Sequence, residues 1–176
     1  MKMNFFVFLT LIFTFVGQAQ QSSYAGEEQR SIKSLSDKEI EQYRSGAGMG
    51  LAKAAELNHY PGPKHLLELA DTLNISPEQK KDLERIFGEM SNAAIAVGQQ
   101  IIEKEKILNT EFGNGTITLS LLEQMTKSIG ELQAKLRFIH LRAHIAAKDM
   151  MTQHQLHLYD VLRGYNSNTK IHRQGH

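Results

Sequence analysis

The sequence predicts an all-helical protein, built as a long antiparallel helical hairpin with short flanking helices. Three observations carry this. Apolar residues recur at alternating three- and four-residue steps along two long stretches, the spacing of a helix-packing seam. A Gly113-Asn114-Gly115 turn separates those stretches. Ser/Thr-x-x-Glu/Gln capping boxes stand where helices should begin.

At the N-terminus, Lys2 is followed by the apolar run Phe5 to Val16 and then by Gly17-Gln18-Ala19. This is the layout of a secretory signal peptide, expected over residues 1–19. The run falls short of the about 20 apolar residues that a membrane span needs. The chain has no cysteine, which removes a lipid attachment point, a disulfide framework and thiol chemistry. Residues 20–34 are polar, without a sustained period, and are expected to be a flexible leader.

A single helical domain is expected over residues 35–165. Ser36 and Glu39 form the first capping box, with Leu35 and Ile40 as its hydrophobic staple. Gly46-Ala47-Gly48-Met49-Gly50 breaks that helix and acts as a hinge before Leu51 to Leu57 resumes. Asn58 to Pro63 is a turn, and Pro63 suits the first position of a short helix reaching Leu73.

Ser76-Pro77-Glu78-Gln79 then launches the first long helix, with a seam of Leu83, Phe87, Met90, Ala94, Val97, Ile101 and Leu108, interrupted by Lys104. The return helix carries Leu122, Met125, Ile129, Leu132, Leu136, Ile139, Ala143, Ala146 and Met150. Each helix should extend roughly 45–50 Å at 1.5 Å per residue. One hairpin has one packed seam, so it needs a lid of short helices or a second copy. Thr152 and Gln155 cap a final short helix ending near Gly164, and residues 166–176 are expected to be a disordered tail.

Without Lys2 the chain has 19 basic residues against its 19 acidic ones. No basic excess points to a nucleic-acid partner. No HExxH, GxSxG or phosphate-loop pattern occurs, and the chain reads as a non-enzyme. The sharpest chemical feature is His140 with His144, one turn apart on one helix face, where two imidazoles can share a Zn, Ni, Co or Cu ion. Glu84 or Glu68 could add an oxygen, but nothing in the spacing selects either. Met90, Met125 and Met150 read as core filler. His154 and His157 read as surface residues, and His172 and His176 as tail residues.

The two segments Ile75-Ser76-Pro77-Glu78-Gln79 and Met151-Thr152-Gln153-His154-Gln155 each resemble the LTxxQ signature. With Gly48 to Leu57, Tyr60-Pro61-Gly62-Pro63, His140-Leu141-Arg142-Ala143-His144 and Leu162-Arg163-Gly164-Tyr165, they make the chain resemble the Spy/CpxP superfamily of periplasmic proteins. The nearer likeness is to its heavy-metal sensor, CnrX-like branch. Both motifs depart from the signature in opening with a residue other than Leu, and the first has Ser76 in place of Thr.

The resemblance implies a periplasmic location, a homodimeric cradle and no catalysis. It adds His65 to the candidate metal ligands, although the position four residues on is Leu69, which has no donor atom. It implies metal or envelope-stress sensing, with a membrane-bound sensor kinase, an anti-sigma factor or an efflux component as partner. The alternative is an ATP-independent holdase that binds unfolded proteins on the cradle surface.

Overall fold

A computed structural model describes residues 22–165, and the expected signal peptide and tail lie outside the described residues. Among the described residues the fold is all-helical: α1 (Asp37–Arg44), α2 (Lys53–Glu56), α3 (Pro63–Glu68), α4 (Pro77–Asn114), α5 (Leu119–Asp149) and α6 (Gln153–Arg163), preceded by a single 3₁₀ turn at Glu27–Gln29. No helix of the described residues is long and apolar enough to cross a membrane.

All three capping boxes form. Ser36, Ser76 and Thr152 each accept from the backbone N–H three residues on, while Glu39, Gln79 and Gln155 reach back to the cap N–H. Gly115 ends α4 in the left-handed conformation (φ 67°), and Thr118 caps α5. α4 and α5 then pack antiparallel. Their shared core holds Ile86, Met90, Ala94, Val97, Ile101, Leu136, Ile139 and Ala143.

The seam drifts at its base. Met150 was expected on it but caps α5 half in solvent, and Met151 is buried instead. Ala147 is fully buried where Ala146 is only partly so. A straight helix turns 3.6 residues, not 3.5, and slips by about 20° per heptad against a strict seven-residue pattern. Over the length of α5 that moves the buried stripe by nearly one position.

The short helices supply a lid. α1 lies on α4 through Ile40 and the Leu35 staple. The end of the expected leader docks as well: Ile32 is buried, the Lys33 N–H donates to Asn109 Oδ1 (3.1 Å) and Ser34 Oγ donates to Glu105 (2.8 Å). The sequence shows no period there because one buried residue makes none. α3 stops at Glu68 and continues as turns to Asn74, shorter than the expected reach to Leu73. Leu66, Leu73, Leu83, Ala147, Met151, Leu156 and Tyr159 form a second core at the base of the hairpin. That core joins α3, α4, α5 and α6 and frames the site described next.

Candidate functional site

α2 is only one turn long, and Glu56 is its last residue. The chain then closes at His59 (φ 64°), with the Tyr60 N–H bonded to the Ala55 carbonyl. Pro61, Gly62 and Pro63 follow, all buried, and their fixed backbone sets the entry to α3. α6 ends in a Schellman turn, with Gly164 at φ 74°, Gly164 N–H to the Val161 carbonyl (3.1 Å) and Tyr165 N–H to the Asp160 carbonyl (2.8 Å). That turn brings Tyr165 back toward α2.

These elements converge on one carboxylate. Glu56 Oε1 accepts from the Tyr159 hydroxyl (2.6 Å) and the Tyr165 hydroxyl (3.1 Å). Arg163 Nη2 lies 3.4 Å and His65 Nδ1 3.7 Å from the same oxygen. Glu56 Oε2 lies 3.8 Å from His144 Nδ1. The Glu56 side chain is 12% exposed, and Tyr159 is fully buried. Burial first, then its hydrogen bond to Glu56, pushes the Tyr159 phenol far above its ordinary range. It therefore stays a donor. A cavity of about 320 Å³ opens beside the carboxylate, lined by Gly50, Leu57, His65, His144 and Tyr165 as well as Glu56.

Among the described residues, three buried polar side-chain atoms near this end have no hydrogen-bond partner: Glu56 Oε2, His65 Nδ1 and His140 Nε2. An orphaned buried polar group costs about 1–3 kcal/mol. Two of the three, Glu56 Oε2 and His65 Nδ1, belong to residues that line the cavity. His144 is held differently. Its Nδ1 lies 2.7 Å from the Tyr60 carbonyl oxygen, a contact only an N–H can satisfy. Its ring rests on Gly62, where an added Cβ would stand 2.9 Å from Cε1 and Nε2.

Of the candidate ligands, the structure brings His65 and His144 to the two oxygens of one carboxylate. His140 does not line the cavity. It is sunk in the interior (3% exposed), and burial, followed by the nearby His144, holds its pKa below the ordinary value. Glu84 and Glu68 are exposed and stand off the cavity; Glu68 makes a loose pair with Lys64 (3.9 Å). The four motif caps lie elsewhere, at the starts of α4 and α6.

Sequence reasoning missed Glu56, although it is the one acidic residue between Gly46 and Asn58. It also missed Tyr159, Arg163 and Tyr165. Their spacing on α6 and its cap puts all three toward α2, a relationship visible only once α6 has a neighbour.

The donors fit a transition-metal ion in type. Two ligands of one tetrahedral ion at metal–donor lengths of about 2.0–2.2 Å stand roughly 3.3–3.6 Å apart. The 3.7 and 3.8 Å separations exceed that by a few tenths of an ångström. Among the described residues no group of three or more His, Cys, Asp and Glu is already gathered in metal-holding geometry. Binding would need a small contraction and the His144 imidazole freed from Tyr60, or turned to offer Nε2. No protein-family model, curated protein or solved structure matches the chain.

Proposed function

We propose that this chain is a non-catalytic metal-binding protein of the bacterial envelope, acting as a sensor of the Spy/CpxP-like type. The divalent ion (Zn, Ni, Co or Cu) would be held by Glu56 and His65, with His144 completing the set. The single observation behind this reading is the pair of buried, unpartnered donors, Glu56 Oε2 and His65 Nδ1, in residues lining one cavity. A carboxylate with imidazoles is a donor set suited to such ions. His140, one turn from His144, is a supporting residue in this reading and not a ligand. The signal peptide expected from the sequence and the capping motifs support the envelope assignment, with a homodimer and a membrane-bound kinase, anti-sigma factor or efflux component as partners.

Calorimetric titration of the purified protein with Zn, Ni, Co and Cu tests this. Stoichiometric binding is expected at micromolar affinity or better. Glu56→Gln and His65→Ala should each weaken it by about tenfold or more. Binding that is absent, or unchanged in both variants, rejects the reading.

The holdase alternative has an observation of its own. Phe138 and Ile145, seven residues apart on α5, are 60% and 52% exposed, and Phe112 and Leu119 are exposed at the hairpin tip. Apolar surface of this kind suits unfolded clients. Failure of the purified protein to suppress aggregation of a denatured client would remove it.

A further inference from the structure

We propose that Arg163 and Tyr165 form a latch on Glu56 which a bound divalent cation opens, so that metal loading is read out at the C-terminal end of α6. This rests on the metal-binding reading above and adds its consequence for the chain.

The charges argue for it. Arg163 Nη2 stands 3.4 Å from Glu56 Oε1, close enough to neutralise the carboxylate but too long for a strong hydrogen bond. A divalent ion on the same carboxylate would face that guanidinium across a partly buried site, where like charges repel strongly. Arg163 can leave, because its side chain is 33% exposed and it stands at the end of its helix. Tyr165 follows it through one residue, Gly164, and its bond to Oε1 is the longer of the two phenol bonds. Tyr159 cannot follow: it is fully buried in the base core and keeps its 2.6 Å bond.

The three holds on the carboxylate are therefore unequal because their surroundings differ. One phenol anchors α6 permanently, while the guanidinium and the second phenol hold the carboxylate only until a stronger cation arrives. Removing the latch must then tighten metal binding, because coupling between two events on one group is reciprocal.

The test uses Zn²⁺ alone with the purified protein. The chain has five tyrosines and no tryptophan, so its near-ultraviolet emission reports phenols. A phenol bonded to a carboxylate emits weakly, so release of Tyr165 should brighten emission as Zn²⁺ is added, and Tyr165→Phe should remove that change. In parallel, Arg163→Gln should bind Zn²⁺ about fivefold or more tighter than wild type, while Tyr165→Phe gives a smaller change in the same direction.

Zn²⁺ binding with steady emission and no gain in affinity in Arg163→Gln overturns the latch and leaves the metal site standing. Weaker binding in Arg163→Gln overturns it as well, since the arginine would then support the loaded site. Absence of binding in wild type and in both variants overturns the latch together with the reading beneath it.

Discussion

The side-chain amides of Gln79 and Gln155 exchange two hydrogen bonds, each 3.0 Å long, and so tie the start of α4 to the start of α6. Each amide oxygen already faces the N–H of its own cap, Ser76 or Thr152. The nitrogens are thereby turned outward. Gln79 Nε2 also donates to the Met150 carbonyl (2.7 Å), and Gln155 Nε2 lies 3.4 Å from the Leu73 and Asn74 carbonyls. The first capping box uses Glu39 instead, whose carboxylate accepts from Ser36 only and needs no outward donor. The choice of Gln over Glu thus marks the boxes that bind each other.

Gln155→Glu should keep the capping box and still destabilise the protein. The second carboxylate oxygen would face the Gln79, Leu73 and Asn74 oxygens in a buried place, and the cost should be about 2–3 kcal/mol at neutral pH. Glu39→Gln, on the half-buried first box where no second cap faces it, should change stability by less than about 0.5 kcal/mol. Urea denaturation of both variants measures the difference. A double-mutant cycle of Gln79→Ala with Gln155→Ala should show coupling of about 1 kcal/mol. Additive losses would mean the two caps act independently.

Local chemistry made the helix starts and the hairpin legible in the sequence. Caps, the Gly113-Gly115 turn and the seam are all written in residues close to one another. The site was legible only in part. His144 stood out by its spacing from His140, but the residue that organises the cluster is Glu56, which has no helical partner in sequence. Its neighbours come from α3, α5 and α6, and only the packing of Leu66, Ala147, Leu156 and Tyr159 into one core brings those elements to it. His140 lies deep in the interior for a related reason. The drift of a straight helix turns that position, one past the seam residue Ile139, inward.

Two glycines on α4 should respond in opposite directions to the same substitution. A Cβ at Gly98 would run into the Tyr43 carbonyl oxygen of α1, so α1 rests directly on the α4 backbone there. A Cβ at Gly88 meets nothing within 4 Å. Replacing Gly by Ala inside a helix gains about 0.8–1 kcal/mol from backbone propensity. Gly88→Ala should show that gain. Gly98→Ala should lose more than it gains, because overpacking a close contact costs about 1–3 kcal/mol and here meets backbone, which cannot swing aside. Thermal melts of the two variants decide this. A rise in melting temperature for Gly98→Ala would mean that α1 is not held against α4.

The buried His140 should make the metal-free protein acid-sensitive. Burial, with a smaller contribution from His144, depresses its pKa below 6.5 in the folded state. The unfolded chain therefore binds the proton more readily. Stability should be full above about pH 6.5, should fall as the pH drops from there toward the depressed folded pKa, and should fall no further on this account below it. His140→Leu, close in volume and free of the orphaned Nε2, should flatten this limb of the curve. Urea midpoints between pH 5 and 7.5 in the presence of a chelator test it. An unchanged slope in His140→Leu would assign the acid sensitivity to other groups.

Gly62 should matter for the site more than for the fold. It lies between Pro61 and Pro63, whose rings restrict the backbone on both sides, and the His144 ring packs against its Cα face. Its φ of −79° is one that alanine adopts freely, so Gly62→Ala carries no backbone strain. The added methyl must instead move the imidazole, which is tethered at Nδ1 to the Tyr60 carbonyl two residues away. The ring is the softer partner, because the prolines hold the turn in place. Gly62→Ala should therefore cost only about 1 kcal/mol of stability, yet weaken Zn²⁺ binding by about tenfold or more, because the methyl fills the space beside Cε1 and Nε2 in which the ring must turn to offer Nε2 to the ion. Paired measurement of the urea midpoint and the calorimetric affinity separates the two effects. Equal affinity in Gly62→Ala and wild type would place His144 outside the metal-binding set and leave Glu56 and His65 to hold the ion without it.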